Sequence, residues 1–339
     1  MKRLLALFGS FYLIAILTAS ADPPSHQIDV LIVTTVKGVP FYQNDIDGVK
    51  SIFTQAEDCL TVTPDNPDYV ATDAETKAED LLPEITFHSH KPMIKPSDEK
   101  TLIDYLSKGR VNPSDGVSST VFCYLKLHGF CDNTGEHYMQ LDDGSLISRT
   151  TVMSALRVRE ADLTILVTDS CSATSHQLPK HSTAAVKYPK DLFLDLFVRA
   201  RAIVDINSSD CKPDQGIYEY AWMVNDGEGL FSQVFISALT EDDPRKLQAK
   251  LERIDAPKPS EATTPQTGNG RYSWQEFHNF MSQKTEAEYQ SLRAEYLRKY
   301  QAYLDNSERL PPDDLDVCMD VIRQPHQTLR AFTELPTEP

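Results

Sequence analysis

Cys171 and His128 are the two residues of this 339-residue chain whose types and placing best suit nucleophilic chemistry. Each follows a run that reads as a buried strand. Ser119 to Leu127 (STVFCYLKL) leads into His128-Gly129, and Leu163 to Val167 (LTILV) leads toward Asp169-Ser170-Cys171. In parallel α/β sheets, ligands bind beyond the carboxyl ends of the strands. If these strands are neighbours, thiol and imidazole meet although 43 residues separate them. A thiol beside an imidazole can ionise, and the thiolate is the competent nucleophile. The other reading of Cys171 is a buried, inert thiol. Gly129, lacking a Cβ, either lets backbone approach a ligand or is an ordinary turn glycine.

The elements that must position this pair alternate between strand and helix. Ile28 to Val36 reads as a strand, followed by a helix carrying Ile46, Val49 and Phe53 behind the capping residues Asn44-Asp45. Residues 61–80 are polar and read as a surface excursion. Glu84 to His90 is a second strand. Ser97 to Lys108 is a helix with Leu102, Ile103 and Leu106 on one face and Gly109 ending it. His137 to Leu141 and Ser145 to Ile147 form a hairpin across Asp142-Asp143-Gly144. Arg149 to Val158 and Asp191 to Arg199 are helical, Ala202 to Ile206 is a strand, and Leu230 to Leu239 is an amphipathic helix. This alternation implies an α/β fold, a three-layer α/β/α sandwich around a mostly parallel central sheet. Residues 22–240 form that core. Residues 241–270, rich in Pro, Thr, Asp and Gly, read as a mobile loop. In 271–339, Trp274 to Tyr303 is helical, and the last 30 residues wrap the surface of the same domain.

Composition narrows the classes. Lys+Arg number 33 against 50 Asp+Glu, a net charge of −17, which excludes a nucleic-acid binder or a polybasic membrane-surface protein. Residues 1–21 have the form of a secretory signal peptide: Lys2-Arg3, a short apolar run from Leu4 to Leu17, then Ala19-Ser20-Ala21. The expectation is export to a periplasmic or secreted location, with no membrane association once the signal is cleaved. Six scattered cysteines lack the C-x-x-C spacing of a zinc ribbon, and export permits disulfides. If one cysteine stays a thiol for chemistry, at least one of the other five is unpaired.

Strand–His128-Gly129 followed by strand–Asp169-Ser170-Cys171 resembles the caspase-like cysteine peptidases, nearest to metacaspases and their exported bacterial relatives. The His–Cys separation is close to the roughly 50 residues of that family. Asn44 to Val49 with Ile52-Phe53, the His137 to Gly144 hairpin, and Gly227 to Ser232 with Ala238-Leu239 are also similar to family segments. Together these cover roughly residues 28–240. The resemblance implies an endopeptidase in which Cys171 attacks the scissile carbonyl and His128 is its acid–base partner. Backbone N–H groups of Gly129 and Cys171 would hold the oxyanion. Asp45 and Asp169 match the acidic residues that line the primary pocket, implying protein or peptide substrates with Arg or Lys at the cleaved position. Ser208 and Ser209, with Asp210, either edge the same cleft or form a solvated loop. Lys126-Leu127 stands where the family usually has Ser-Gly, a change at the pocket rim that bears on substrate preference. Ser172-Ala173-Thr174 replaces a usual His-Ser-Gly.

The remaining candidates have simpler readings. His88 and His90 alternate on a strand and either bind a metal or are exposed edge residues. His176 and His181 could compete as bases, yet lie in a loop-like stretch. Asp142-Asp143-Gly144 could help bind calcium, as in some metacaspases, but a hairpin turn explains it. No cofactor or resident metal is expected. Trp274, Phe277 and Tyr289 read as core contacts. Two rival functions remain open: a gingipain- or legumain-like peptidase of other specificity, and an inactive caspase-like module kept for binding or scaffolding.

Overall fold

The computed structural model describes residues 25–34, 42–60, 84–109, 117–171, 190–215, 217–222, 229–240, 272–305 and 309–337. Its strands are β1 (Ser25–Thr34), β2 (Glu84–Ser89), β3 (Met93–Ile94), β4 (Val117–Lys126), β5 (His128–Cys131), β6 (His137–Gln140), β7 (Leu146–Ser148), β8 (Leu163–Thr168), β9 (Ile203–Asn207), β10 (Cys211–Lys212), β11 (Ile217–Tyr218) and β12 (Arg330–Ala331). The helices, numbered in chain order, are α1 (Tyr42–Leu60), α2 (Glu99–Ser107), α3 (Arg149–Arg157), α4 (Lys190–Leu194), α5 (Leu230–Thr240), α6 (Trp274–Leu304) and α7 (Pro312–Arg323). A π-helical turn, Asp195–Arg199, continues α4.

The central sheet has seven strands in the order β12-β9-β8-β4-β1-β2, with β3 also beside β1. All pairings are parallel except that of β12 with β9. This is the expected mostly parallel α/β arrangement. It follows from strands buried on both faces, which read as continuous apolar runs. In β1, Ile28, Val30 and Ile32 enter one core while Leu31 and Val33 enter the other. The first core takes Ile46, Val49 and Phe53 of α1, Phe193 and Phe197 around α4, Phe235 of α5, and Trp274 and Phe277 of α6. The second takes Leu102 and Leu106 of α2, Val152 and Leu156 of α3, and Met139 and Ile147 of the β5-β6-β7 sheet. A third cluster joins Trp222 and Tyr289 to Val317 and Val321 of α7.

Three local expectations change. β1 begins at Ser25, three residues before Ile28, because buried His26 finds partners on β4. Asn44 and Asp45 lie inside α1 and do not cap it; α1 starts at Tyr42 and Asp45 turns into the protein. The last 30 residues are more ordered than a surface wrap. Pro312 sits at the first helical position of α7, where a missing N–H costs nothing, and β12 then pairs with β9. The signal-like segment 1–21, the excursion 61–80, the loop 241–270 and His176 and His181 lie outside the described residues. Among the described residues, no helix is long and apolar enough to cross a membrane.

Candidate active site

The chain runs from β1 outward to β2, then returns across β1 to β4, β8 and β9. The direction of winding therefore reverses between β1 and β4, and a crevice opens beyond carboxyl ends at such a reversal. β4 and β8 are neighbours whose parallel register pairs Leu125 with Thr168. His128 and Cys171 each lie three residues past that last pair. Their segments meet at Gly129. A Cβ built on this glycine would fall 2.5 Å from the Cys171 carbonyl oxygen and 2.9 Å from Ser170 Cβ. His128 is exposed, and Cys171 is 6% exposed, its Sγ donating to the Ala221 carbonyl at 3.5 Å. Gly129 and Cys171, the two residues expected to share an oxyanion, are thus adjacent through their backbones. Leu127 points away from any rim. It is buried in the second core with Leu125 and Met139.

The peptide before the cysteine is held on several sides. Ser170 N–H donates to Ser208 Oγ at 3.1 Å, and Ser170 Oγ donates to Asn207 Oδ1 at 3.0 Å. The Ser170 carbonyl accepts from Ser209 Oγ at 3.0 Å and Asn207 Nδ2 at 3.3 Å. Ser208 and Ser209 are each 1% exposed. Their hydroxyls brace the backbone of Ser170, so neither residue lies in a solvated loop.

His137 is a site residue that the sequence shows only as part of a hairpin. It is fully buried, and its Nε2 lies 3.3 Å from the Cys171 carbonyl oxygen and 3.5 Å from Ser170 Oγ. A carbonyl only accepts, so the proton is assigned to Nε2, and Nδ1 has no hydrogen-bond partner among the described residues. Burial, then the Arg149 guanidinium, lowers its pKa to about 3 against a weaker pull from the Cys171 carbonyl. His137, held neutral and without access to solvent, positions the chain at Ser170 and Cys171, whereas His128 is exposed.

Asp45 and Asp169 converge on Lys126. The Lys126 ammonium pairs with Asp45 Oδ2 and lies 3.4 Å from Asp169 Oδ2. The three side chains are 5%, 1% and 2% exposed. Gly229 N–H donates to Asp45 at 3.2 Å, and Ser232 Oγ donates to Asp169 Oδ2 at 2.5 Å. Tyr124 OH lies 2.6 Å from Ser232 Oγ and acts as the donor, because the serine proton is already committed. Gly229 must be glycine: a Cβ there would overlap Asp169 and fall 2.9 Å from Lys126 Nζ. Burial above all raises the Asp45 pKa, to about 7, with Lys126 opposing and Asp169 adding to the rise. Two buried carboxylates sharing one ammonium favour keeping one proton. Removing one partner from such a buried pair typically costs about 3–5 kcal/mol.

Supports reach the site from afar. A disulfide joins Cys131 at the end of β5 to Cys211, just past Ser208-Ser209-Asp210, with Cα atoms 6.6 Å apart. Cys59, Cys123, Cys171 and Cys318 are thiols. Buried Arg149 donates to Asp205, Thr168 Oγ1 and the Ile206 carbonyl, locking β8 to β9 just before Asp169. Its guanidinium lies 4.3 Å from the Phe332 ring centre, and that of Arg330 lies 4.2 Å from the same centre.

The remaining candidates are placed outside this centre. Asp143 Oδ1 accepts from Ser145 N–H and Oγ, and Gly144 has φ +89°. His88 and His90 are exposed, and His90 Nε2 lies 3.4 Å from Asp29 Oδ2. Among the described residues, no group of three or more His, Cys, Asp or Glu could hold a metal ion.

No protein-family model matches the chain, and no curated protein matches it. Among solved structures, it is similar to the crystal structure of the Drosophila initiator caspase Dronc. That likeness covers 70% of this chain and 75% of that one, at 9% identity and a TM-score of 0.31. A likeness of that size is too slight to weigh in reading the site.

Proposed function

We propose that the chain is an exported, caspase-like cysteine endopeptidase in which Cys171 is the nucleophile and His128 its acid–base partner. The observation that carries this reading is the placing of Cys171 and His128 at matched positions past adjacent parallel strands, with Gly129 packed on the Cys171 carbonyl. In the reaction, Cys171 gives its thiol proton to His128 and Sγ attacks the peptide carbonyl; His128 passes that proton to the leaving amine, then takes one from the water that hydrolyses the thioester and returns it to Sγ. The substrates are proteins or peptides. On the resemblance, Asp45 and Asp169 line the pocket for the side chain at the cleaved position, and the Lys126 ammonium already lies between them. The test is site-specific labelling by a peptidyl chloromethyl ketone, read by mass spectrometry of the Cys171 peptide. Labelling that needs both Cys171 and His128 supports the dyad; equal labelling of Cys59 or Cys318 refutes it.

A second reading is a catalytically silent scaffold. It is favoured by the near-complete burial of Cys171 and by its hydrogen bond to Ala221, which suits a protonated thiol. The same labelling separates the two.

A further inference from the structure

The crevice between β1 and β4 is where a fold of this winding receives a ligand. Here the chain has placed a cation of its own in that crevice. Lys126 is the last residue of β4, and its ammonium reaches both Asp45 at the start of α1 and Asp169, two residues before Cys171. Gly229 and Ser232 close the remaining sides through hydrogen bonds to the same two carboxylates. All three charged side chains are 5% exposed or less.

We infer that Lys126 is the resident cation of this acid pair and determines specificity, so that the unaltered chain does not select Arg or Lys at the cleaved bond. A substrate guanidinium or ammonium would have to eject Lys126 from two carboxylates into solvent and then repeat the same contacts. The exchange gains nothing that the lysine does not already supply. A neutral side chain leaves the pair undisturbed, so neutral residues are the substrate class. Removing the ammonium leaves two buried carboxylates with no counter-charge among the described residues, and an Arg side chain then gains contacts that a neutral one lacks. This inference rests on the peptidase reading for its kinetic form, but not for its binding form.

The kinetic test compares peptides that differ only in Arg, Lys, Asn or Ala at the cleaved position. Wild type is expected to show no Arg or Lys advantage in kcat/KM. Lys126→Ala is expected to raise the Arg-to-Ala ratio by about tenfold to a hundredfold, the range for one or more hydrogen bonds to a charged group. Lys126→Gln is the second variant, with a smaller gain, should the alanine variant fail to fold. An Arg or Lys advantage in wild type overturns the inference, as does an unchanged ratio in a folded variant. The binding test holds if no peptide is cut: calorimetry with benzamidine, an Arg-like cation, on the same proteins. Binding to Lys126→Ala or Lys126→Gln at least tenfold tighter than to wild type supports the resident-cation assignment even where the peptidase reading has failed. Equal binding refutes it.

Discussion

Gly129 lies so close to Cys171 that a Cβ on the glycine would sit 2.5 Å from the Cys171 carbonyl oxygen and 2.7 Å from His137 Nε2. Neither neighbour can yield cheaply, since one is backbone and the other a buried ring. Gly129→Ala should therefore displace the backbone on which His128 and Cys171 depend. Overpacking of this kind costs about 1–3 kcal/mol. We expect a lower melting temperature and at least a tenfold slower labelling of Cys171. A variant that labels at the wild-type rate would show that this contact does not set the site's geometry.

On the proposed peptidase reading, Cys171→Ala removes the nucleophile and little volume, so peptide hydrolysis should vanish with the circular dichroism spectrum unchanged. His128→Ala should be almost as damaging, because members of a catalytic unit do not contribute additively. Being exposed, His128 can be replaced without opening a core cavity. Persistent hydrolysis in either folded variant means the wrong residues have been chosen.

The Cys131–Cys211 bridge closes a sequence separation of 80 residues. Removing such a bridge typically costs about 2–4 kcal/mol. Cys131→Ser should lower denaturant stability by that amount. It should also slow turnover, because the bridge ties the strand bearing His128 to the loop bracing Ser170. Unfolding curves with and without reductant check this; curves that coincide for wild type count against it.

Acid should loosen the fold through two buried histidines. Burial first, and Arg201 next, lower the His26 pKa to about 4; His137 is lowered to about 3. An unfolded imidazole titrates near 6.5. Below that pH the unfolded chain binds protons that the native chain refuses, so stability is fully present above about pH 6.5 and falls as the pH drops toward 4. Each tenfold difference in proton affinity is worth about 1.4 kcal/mol, so the loss by pH 4.5 is roughly 2.5 kcal/mol per histidine. Asp45 and Glu219, whose pKa values are raised by burial to about 7 and about 6, act oppositely: each favours the fold at low pH and loses that contribution as pH rises from about 4 toward its raised value. Denaturant unfolding at pH 4.5 and 7.5 reads the sum of these opposing effects, and the histidine variants separate them. His26→Gln with His137→Gln should make stability at pH 4.5 higher relative to that at pH 7.5 than in wild type, and an unchanged pH dependence would exclude the histidines as contributors.

Much of this fold is readable from apolar periodicity, because both faces of the sheet are buried and β-branched runs leave few other options. The hairpin over Asp142-Asp143-Gly144 and the helix over Arg149–Arg157 are marked by local turn and capping chemistry. Cys171 and His128 are legible for a related reason: each follows directly on a strong strand signal. What the sequence hides are partnerships between distant residues. Nothing local tells that Lys126 would reach back to Asp45, or that Asp45 serves a buried ion pair in place of a cap. His137 looks like one more alternating strand residue, and its tie to the Cys171 carbonyl exists only after β6 has paired with β5. α7 is masked by its flanking prolines. The Val317 and Val321 spacing is the signal that could have found it.

β12 and the residues just before it bear on the order in which the site can come into being. Gln327 Nε2 donates to the Ser208 carbonyl, Thr328 N–H donates to Glu219, and Arg330 and Ala331 pair with Asn207 and Ile206. Each of these clamps a segment that leaves the ribosome more than a hundred residues earlier. Domains generally fold as units, with earlier regions first during synthesis. Until Gln327 and β12 emerge, a nascent chain that already carries Cys171 and His128 holds β9, the neighbour of β8 that leads into the residues bracing Ser170, as an unclamped sheet edge. Cys171 is made early and mounted late.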